Sequence, residues 1–322
     1  MKNFFYFSAI YLLAALVFLL LGRDDPMSSL VFTFFGIVND SQFLWDKLPY
    51  ALTFFAIGLW LTRRNGFKNR VVPTFYAFFG CLLFSAAFGL VKTTFPHVVP
   101  FYADPMLAEL DAALHLGHDP YVLVHRLSDY VHPRGLELLY FDLWLAPGLF
   151  LPVLMAVTDT NTERTNRFLI LYAFCWIGLG NILAMTFSSV GPVYYDRLLD
   201  TERFVGLTMA LESSGLAGGI MGGVQEYLWM QYNENGQSFG SGISAFPSVH
   251  VGVAAVVAFY LAERSRYLMP LGLVFLAAIS FASVYNGWHY AVDGYVSIAC
   301  IAAAWALTKM RRKVTYSSLA TA

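Results

Sequence analysis

Long apolar runs are the feature that most constrains how this chain can fold. A membrane-crossing helix needs about 20 predominantly apolar residues, with a lower limit of about 17. Runs that meet or approach this length occupy residues 5–21, 48–61, 71–91, 136–157, 168–190, 246–261, 268–284 and 290–307. The runs 48–61 and 246–261 need flanking residues to span, and 28–38 is short enough to be re-entrant or interfacial. The pattern predicts an all-α, multi-pass transmembrane helical bundle of about eight spans.

The composition agrees with a membrane protein and argues against other classes. Hydrophobic residues make up 58% of the chain and charged residues 13%, which is too apolar for an ordinary soluble domain. The net charge of −1 gives no indication of a nucleic-acid partner. The three cysteines, Cys81, Cys175 and Cys300, stand alone in apolar runs and define no disulfide framework. No small-residue cleavage site follows the first run, so we interpret it as a retained membrane helix.

Lysine and arginine predict the orientation of the bundle. Basic residues occur in three loops and in the tail, and alternating spans put all four groups on the side that also holds both termini. These residues are Arg63, Arg64, Lys68, Arg70, Arg164, Arg167, Arg264, Arg266, Lys309, Arg311, Arg312 and Lys313. The positive-inside rule makes that side cytoplasmic. Segments 22–47, 92–135 and 191–245 are then expected on the extracytoplasmic face of a cell membrane.

The segment 92–135 predicts a helix that lies in the membrane interface. Apolar residues recur at helical spacing after residue 105, with acidic residues between them. The region 97–132 holds five histidines, and His115 and His118 share a helical face, which would suit a metal ion. No third ligand is fixed by the spacing, so we favour polar side chains on an exposed amphipathic segment.

His289 and Asp293 form the first candidate catalytic pair. They are four residues apart, so on a helix the carboxylate can accept a hydrogen bond from one imidazole nitrogen. That hydrogen bond fixes the tautomer and leaves the other nitrogen as a nucleophile or base. Taken alone, the pair is also explained by a polar bridge between helices or by a proton relay of the kind that transporters use.

The stretch Pro247-Ser248-Val249-His250 opens another apolar run and predicts a phosphate site. Free amides in the first turn of a helix attract anions, and proline favours that turn. The Ser248 hydroxyl can donate a hydrogen bond to a phosphate oxygen. His250 would then stand at the phosphate as a general acid, unless it merely caps the helix at the interface.

A phosphate also needs fixed positive charge. Arg197 is the best-placed cation on the predicted outer face, and Arg203 is second. The alternative is that Arg197 pairs with Asp196, with Asp200 or with lipid head groups. Both arginines lie in the segment 191–245, whose glycine-rich patches at 215–223 and 236–242 are typical of either a binding loop or a flexible connection.

These motifs resemble those of the type 2 phosphatidic acid phosphatase superfamily. Its second motif usually reads Pro-Ser-Gly-His, and its third ends in His-x-x-x-Asp. The stretch His289-Tyr290-Ala291-Val292-Asp293 is similar to the branch that contains inositol phosphorylceramide synthase and related bacterial membrane proteins. Residues 110–120 are similar to a segment that many bacterial members carry, and the resemblance covers roughly residues 100–308.

The resemblance implies a role for each motif residue. His289 would attack phosphorus and become phosphorylated, Asp293 would orient it, and His250 would protonate the leaving group. Ser248 and the amides around Val249 would bind the phosphate. The superfamily requires no metal and no cofactor.

Three departures from the family pattern concern the anion site. The usual arginine six residues before the third-motif histidine is replaced by Ser283. The usual first motif, a lysine followed by Arg-Pro, has no clear match, and residues 191–197 occupy its expected place. Val249 replaces the usual glycine and is expected to crowd the approach to phosphate.

Taken together, the sequence predicts three regions: residues 1–99 as an N-terminal transmembrane region, 100–308 as the catalytic membrane domain and 309–322 as a cytoplasmic tail. The expected function is an integral membrane lipid phosphatase or phosphotransferase that acts on a lipid phosphate or phosphodiester at the extracytoplasmic face through a phosphohistidine. Hydrolysis and transfer use the same residues, and the long outer segment 191–245 favours transfer. The alternatives are a proton-coupled transporter and a catalytically silent lipid-binding relative. The expected partners are a lipid substrate and membrane lipids, with no nucleic acid.

Overall fold

A computed structural model describes residues 1–28, 30–31, 68–234 and 242–320, and it is helical with no strand across those residues. The all-α prediction is therefore confirmed for the described part of the chain. The expected span 48–61, Arg63 and Arg64, most of the segment 28–38 and most of the glycine-rich patch 236–242 lie outside the described residues.

The helices of the described residues are numbered here in chain order. Their bounds are α1 (Lys2–Gly22), α2 (Lys68–Val98), α3 (Asp104–Leu114), α4 (Pro120–Val124), α5 (Pro133–Thr158), α6 (Thr162–Thr186), α7 (Pro192–Leu199), α8 (Val205–Ser213), α9 (Ile220–Asn233), α10 (Val249–Arg264), α11 (Met269–Tyr285) and α12 (Ala291–Ala320). Within the described residues, five helices are long and apolar enough to cross a membrane: α1, α2, α5, α6 and α12. Helix α11 is apolar but shorter. The count of about eight spans stays a prediction.

Helices α1 and α2 pack side by side along their length. A Cβ added at Gly80 would lie 2.8 Å from the Phe4 ring, and one at Gly22 would lie 2.8 Å from Thr94 Cγ2. Early residues of α1 therefore meet the middle of α2, and late residues meet its end, so the two helices run parallel. The closely packed pair fixes the last turns of α2, which carry Lys92.

The bundle has two chemically different ends. At one end, carboxylates pair with basic residues: Asp159 with Arg164 at 2.7 Å, and Glu263 with Arg167 at 2.5 Å and with Lys309 at 3.4 Å. Helix α10 has 16 residues, which corresponds to about 24 Å, and it runs from His250 in its first turn to this basic end. The two histidine motifs therefore lie far from the basic residues.

Two π-helical stretches pack against the start of α10. One occupies Leu138–Leu143 within α5, and the other occupies Phe174–Leu183 within α6. In α5, Pro147 cannot donate to the carbonyl four residues earlier, which interrupts regular α-helical bonding there. Such wide turns shift side chains relative to a regular helix and often occur at functional sites.

Candidate active site

His289 lies in the tight turn between α11 and α12. Gly287 adopts a φ of 71°, and a Cβ added there would lie 2.8 Å from the side chain of Leu207, so glycine is required. The backbone N–H of His289 donates to the carbonyl of Ser283 at 3.2 Å. The turn thus holds the His289 imidazole against α10, and His289 is only 5% exposed.

The hydrogen bonds of His289 assign its tautomer. Its Nδ1 lies 2.8 Å from the Ala245 carbonyl oxygen and 3.3 Å from Asp293 Oδ2. A carbonyl oxygen can only accept, so Nδ1 carries the hydrogen and Nε2 keeps a free lone pair. Burial lowers the pKa of His289, which favours this neutral form. The contact with Asp293 agrees with the sequence prediction, whereas the contact with Ala245 was not foreseen.

The backbone N–H groups at the start of α12, which follows His289, already donate hydrogen bonds to carboxylates of the protein. Asp293 Oδ2 accepts from the Tyr290 N–H at 3.0 Å. Asp111, from α3, accepts from the N–H groups of Ala291 at 2.9 Å and Val292 at 3.0 Å. Protein carboxylates therefore occupy the amides that a phosphate would otherwise seek at this helix start.

A second carboxylate of α3 orders the opposite wall. Asp104 Oδ1 accepts from Ser189 Oγ at 2.7 Å, from the Gly191 N–H at 2.9 Å and from the Tyr290 hydroxyl at 3.0 Å. Asp104 and Asp111 are 0% and 2% exposed. They are seven residues apart, which is two helical turns, so one helix face connects the turn after α6 to the start of α12. Neither residue was predicted to have a role, although two aspartates at this spacing on an otherwise apolar helix face were a visible signal.

His250 faces His289 across the site. Its ring stacks on Tyr140, with centroids 4.3 Å apart, and packs on Trp144 at 4.0 Å. The centroids of the His250 and His289 rings are 5.9 Å apart. The His250 ring makes no hydrogen bond to any described residue, so its nitrogens are available for proton transfer.

The first turn of α10 differs from that of α12, because two of its backbone N–H groups have no acceptor among the described residues. The backbone N–H groups of Val249 and His250 donate to no described residue. Ser248 is the N-cap, and its Oγ accepts from the Val251 N–H at 3.2 Å while its own hydroxyl hydrogen remains available to donate. The Ser248 side chain is completely buried.

Val249 was expected to crowd these amides, but its side chain lies away from them. A Cβ added at Gly180, in the π-helical stretch of α6, would lie 2.8 Å from Val249 Cγ2. The absence of a side chain at Gly180 therefore makes room for Val249, whose isopropyl group points toward α6. The exchange of glycine for valine in the motif is accommodated by a glycine on the neighbouring helix.

The two arginines expected at the site are engaged elsewhere. The Arg197 guanidinium pairs with both carboxylate oxygens of Glu226 on α9 and is 43% exposed. Arg203 pairs with Glu109 and, at 3.1 Å, with Asp119. The structure does not bring Arg197 to the imidazoles, because a closer carboxylate on α9 holds it. The alternative partners considered for Arg197 were Asp196, Asp200 and lipid head groups, whereas its partner in the structure is Glu226, 29 residues further along the chain.

Among the described residues, Lys92, near the end of α2, is the cation whose charge reaches both imidazoles. Its positive charge acts electrostatically on both His250 and His289. It is half-buried and makes no hydrogen bond or ion pair with any described residue, and its stem lies against Gly242, where an added Cβ would be 2.8 Å from Lys92 Cγ. Lys92 was not predicted as a site residue, although a lone lysine late in an apolar helix was a signal.

Ser283 contributes packing where the family pattern has an arginine. It is 1% exposed, its Oγ lies 3.4 Å from the Tyr140 hydroxyl, and its carbonyl accepts from His289. Ser283 therefore positions the ring that stacks on His250 and leaves the positive charge to another residue.

Two histidines of the region 97–132, His115 and His125, form hydrogen bonds and ring contacts within the protein. His115 bonds the Asp111 carbonyl at 2.7 Å and the Tyr295 hydroxyl at 2.9 Å, and His125 stacks on Tyr285. Within the described part of the chain, no three His, Cys, Asp or Glu side chains gather as metal ligands.

The fold and the site together define a multi-pass membrane protein with two facing imidazoles, one backed by a carboxylate, beside a lysine that pairs with no described residue. The chain belongs to the PAP2 superfamily, whose family model matches residues 105–307, and members are generally phosphatases or phosphotransferases. Comparison with curated proteins and with solved structures gave no match. Membership agrees with the superfamily resemblance drawn from the motifs, and the branch that contains inositol phosphorylceramide synthase stays a prediction. Lys92 lies outside the matched residues.

Proposed function

We propose that this protein is an integral membrane lipid phosphatase or phosphotransferase that works through a phosphohistidine at His289. The observation that carries this proposal is the free Nε2 lone pair of His289, opposite a His250 ring that makes no hydrogen bond to described residues. A nucleophile oriented by a carboxylate and a separate proton donor are the groups that phosphoryl transfer in two steps requires.

In the first step, His289 Nε2 attacks phosphorus as the bond from phosphorus to the lipid oxygen breaks. Protonated His250 gives its proton to that oxygen. The imidazole of His289 gains positive charge, which the Ala245 carbonyl and Asp293 stabilise through Nδ1. In the second step, His250 removes a proton from the acceptor, water or an alcohol, as the acceptor oxygen attacks phosphorus and releases His289.

The phosphate oxygens are bound by donors on three elements. Lys92 supplies the fixed positive charge, the amides of Val249 and His250 supply hydrogen bonds at the start of α10, and the Ser248 hydroxyl adds a further donor. Such preorganised donors stabilise charge where it develops in the transition state. The scheme uses no metal and no cofactor.

We assign the site to the extracytoplasmic face. The basic residues Arg164, Arg167 and Lys309 lie at the opposite end of the bundle from His250. The positive-inside rule favours the cytoplasm for that basic end.

The proposal is tested by incubating purified protein with a panel of lipid phosphates and phosphodiester lipids and reading the products by mass spectrometry. We expect the wild type to release phosphate or to transfer a head group, and His289→Ala to lose the reaction while it still folds in detergent. The exposed His118→Ala is the matched control and should keep wild-type turnover. Phosphate trapped on wild-type protein should be lost in acid and kept in base, as a nitrogen–phosphorus bond requires.

Four outcomes would contradict the proposal. Full activity in His289→Ala would show that His289 is not the nucleophile. Loss of activity with a chelator, restored by a divalent ion, would indicate metal chemistry. Substrate-dependent proton flux in liposomes without phosphate chemistry would favour the transporter, and no turnover with any lipid would favour the silent relative.

A further inference from the structure

Two aromatic side chains of α5 lie against the ring of His250. Tyr140 stacks on this ring with the ring planes 13° apart and the centroids 4.3 Å apart, and Trp144 packs on it at 32° and 4.0 Å. Both aromatic residues are buried, at 2% and 6% exposed. Tyr140 lies in the π-helical stretch Leu138–Leu143 and Trp144 follows that stretch directly, so one wide turn presents both rings to His250.

Polar contacts fix the edges of both rings and leave their faces for His250. The Trp144 indole N–H donates to the backbone carbonyl of His250 at 2.9 Å, and the Tyr140 hydroxyl lies 3.4 Å from Ser283 Oγ. The Ser283 carbonyl in turn accepts from the backbone N–H of His289 at 3.2 Å. Tyr140 thus joins the two histidine motifs, and Trp144 holds the backbone of His250 as well as its ring.

The surroundings of His250 otherwise oppose a positive charge on its ring. Burial disfavours the charged form, and a protonated His289 and Lys92, on α2, both repel it. The Asp293 carboxylate bonds His289 and the Tyr290 N–H rather than His250. A proton donor at this position therefore needs another source of stabilisation.

The faces of the two aromatic rings supply that stabilisation. The π-electrons make each face electrically negative, and a cation within about 6 Å of the ring centroid is attracted to it. Both centroid distances at His250 are well inside this limit, and the attraction is stronger where water is excluded. A neutral imidazole gains less from the same contacts, because it carries no net charge. The geometry therefore favours the imidazolium over the neutral ring.

We propose that Tyr140 and Trp144 are positioning residues that hold the His250 ring and stabilise it as an imidazolium, so that the proton donor is charged before the phosphate arrives. The inference rests on the proposed function, in which His250 protonates the lipid oxygen. The proton moves from His250 to that oxygen as the bond to phosphorus breaks. The neutral ring that remains then accepts the proton of the acceptor in the second step.

The first test is the pH dependence of kcat/KM, which reports the free enzyme, with a phosphodiester lipid as substrate. Trp144→Leu and, independently, Tyr140→Leu should move the basic limb to lower pH by about one unit, because each removes one ring face from the imidazolium. Trp144→Phe and Tyr140→Phe keep an aromatic face and lose the polar group at its edge, so their basic limbs should stay close to that of the wild type. Phe150→Leu is the matched control in the same helix, since it removes a ring that stacks on Phe78 instead.

A second set of variants leaves the packing almost unchanged. Tryptophan analogues with increasing numbers of ring fluorines, introduced at residue 144 alone, keep nearly the shape of the indole and withdraw electrons from its face. The basic limb should move to lower pH stepwise as fluorines are added. An unchanged limb across this series, or in folded Trp144→Leu and Tyr140→Leu, would overturn the inference. Equal shifts in the leucine and phenylalanine variants would overturn it as well, because they would assign the effect to the polar edges.

A third measurement does not need turnover. NMR of protein with isotope-labelled histidine follows the titration of the His250 imidazole, which is assigned by the absence of its signal in His250→Gln. The midpoint of this titration should move to lower pH in Trp144→Leu and stay in place in Phe150→Leu. Lipid turnover together with an unchanged titration would overturn the inference and leave the proposed function intact. The expected shift in a protein that turns over no lipid would support the ring contacts and overturn the proposed function.

Discussion

Replacing Asp111 by alanine should damage both stability and catalysis, although Asp111 lies in neither histidine motif. Its carboxylate is buried and accepts two hydrogen bonds, from Ala291 at 2.9 Å and Val292 at 3.0 Å. Asp111→Ala leaves both backbone donors without a partner in the interior. An unpaired buried donor costs about 1–3 kcal/mol, and loss of an N-terminal cap costs about 0.5–2 kcal/mol, with the two estimates overlapping. We expect a loss of about 2–4 kcal/mol in the free energy of unfolding.

The same substitution should lower kcat more than it raises KM. The first turn of α12 carries Asp293 and begins two residues after His289, so a frayed turn misplaces the nucleophile rather than the lipid. Asp111→Asn keeps one oxygen acceptor, so it should lose about half as much stability as Asp111→Ala. The assays are thermal unfolding in detergent, followed by tryptophan fluorescence, and steady-state kinetics with a lipid phosphate.

The exposed Asp129→Ala is the control for removing a carboxylate. A change in unfolding free energy of Asp111→Ala within about 0.5 kcal/mol, the range of ordinary surface substitutions, would refute the reasoning. So would a stable Asp111→Ala protein that keeps wild-type kcat. Either result would mean that the start of α12 is held without Asp111.

Two further predictions concern charge at the site. Lys92→Met should lower kcat/KM by about 10–100-fold, since a hydrogen bond to a charged group contributes about 1.5–3 kcal/mol, and Lys92→Arg should restore part of the lost kcat/KM. Lys309→Met, at the opposite end of the bundle, serves as the control. An equal loss of kcat/KM in Lys92→Met and Lys309→Met would contradict a local role for Lys92. Because burial lowers the pKa of His289, the nucleophile stays neutral as the pH falls, so the acid limb of kcat/KM should lie below the ordinary imidazole value of about 6.5. A phosphodiester substrate should be used so that the second ionisation of a phosphate monoester, near about 6, does not contribute, and an acid limb at or above 6.5 would contradict the direction of the shift.

The pairing of His289 with Asp293 could be predicted because it is local. A spacing of four residues at a helix start determines the contact almost by itself. The contacts of Asp111 with residue 291 and of Asp104 with residue 290 join positions 180 and 186 residues apart. No sequence pattern fixes such pairs, because they depend on how α3 packs against α12.

The cation at the site also could not be predicted from the sequence, because its identity depends on contacts between distant helices. Sequence reasoning favoured Arg197 because it follows a helix that ends on the predicted outer face. Glu226, on another helix, pairs with Arg197 instead. Lys92 was taken as the end of an apolar run, since a charge normally ends a span, yet α2 continues through it to Val98.

The helices themselves were predicted more successfully than the connections. Apolar composition is local, so the runs 71–91, 136–157 and 168–190 correspond to α2, α5 and α6. The segment 191–245 was left as either a binding loop or a flexible connection. Its described residues form α7, α8 and α9, and distant contacts order them, including Met221 N–H to Glu137 at 3.1 Å and Gln225 to the Asn286 carbonyl at 2.8 Å.

The contacts of the two α3 carboxylates also mean that the candidate site is complete only when α12 has packed on α3. Residues 104–111 leave the ribosome long before residues 289–293, because synthesis proceeds from the N-terminus. Until α12 is inserted, Asp111 has no amides to bind, and His289 has not yet joined the bundle. In the proposed mechanism, the nascent chain therefore carries the proton donor, His250, before the nucleophile, His289, and phosphoryl chemistry begins only once α12 docks on α3.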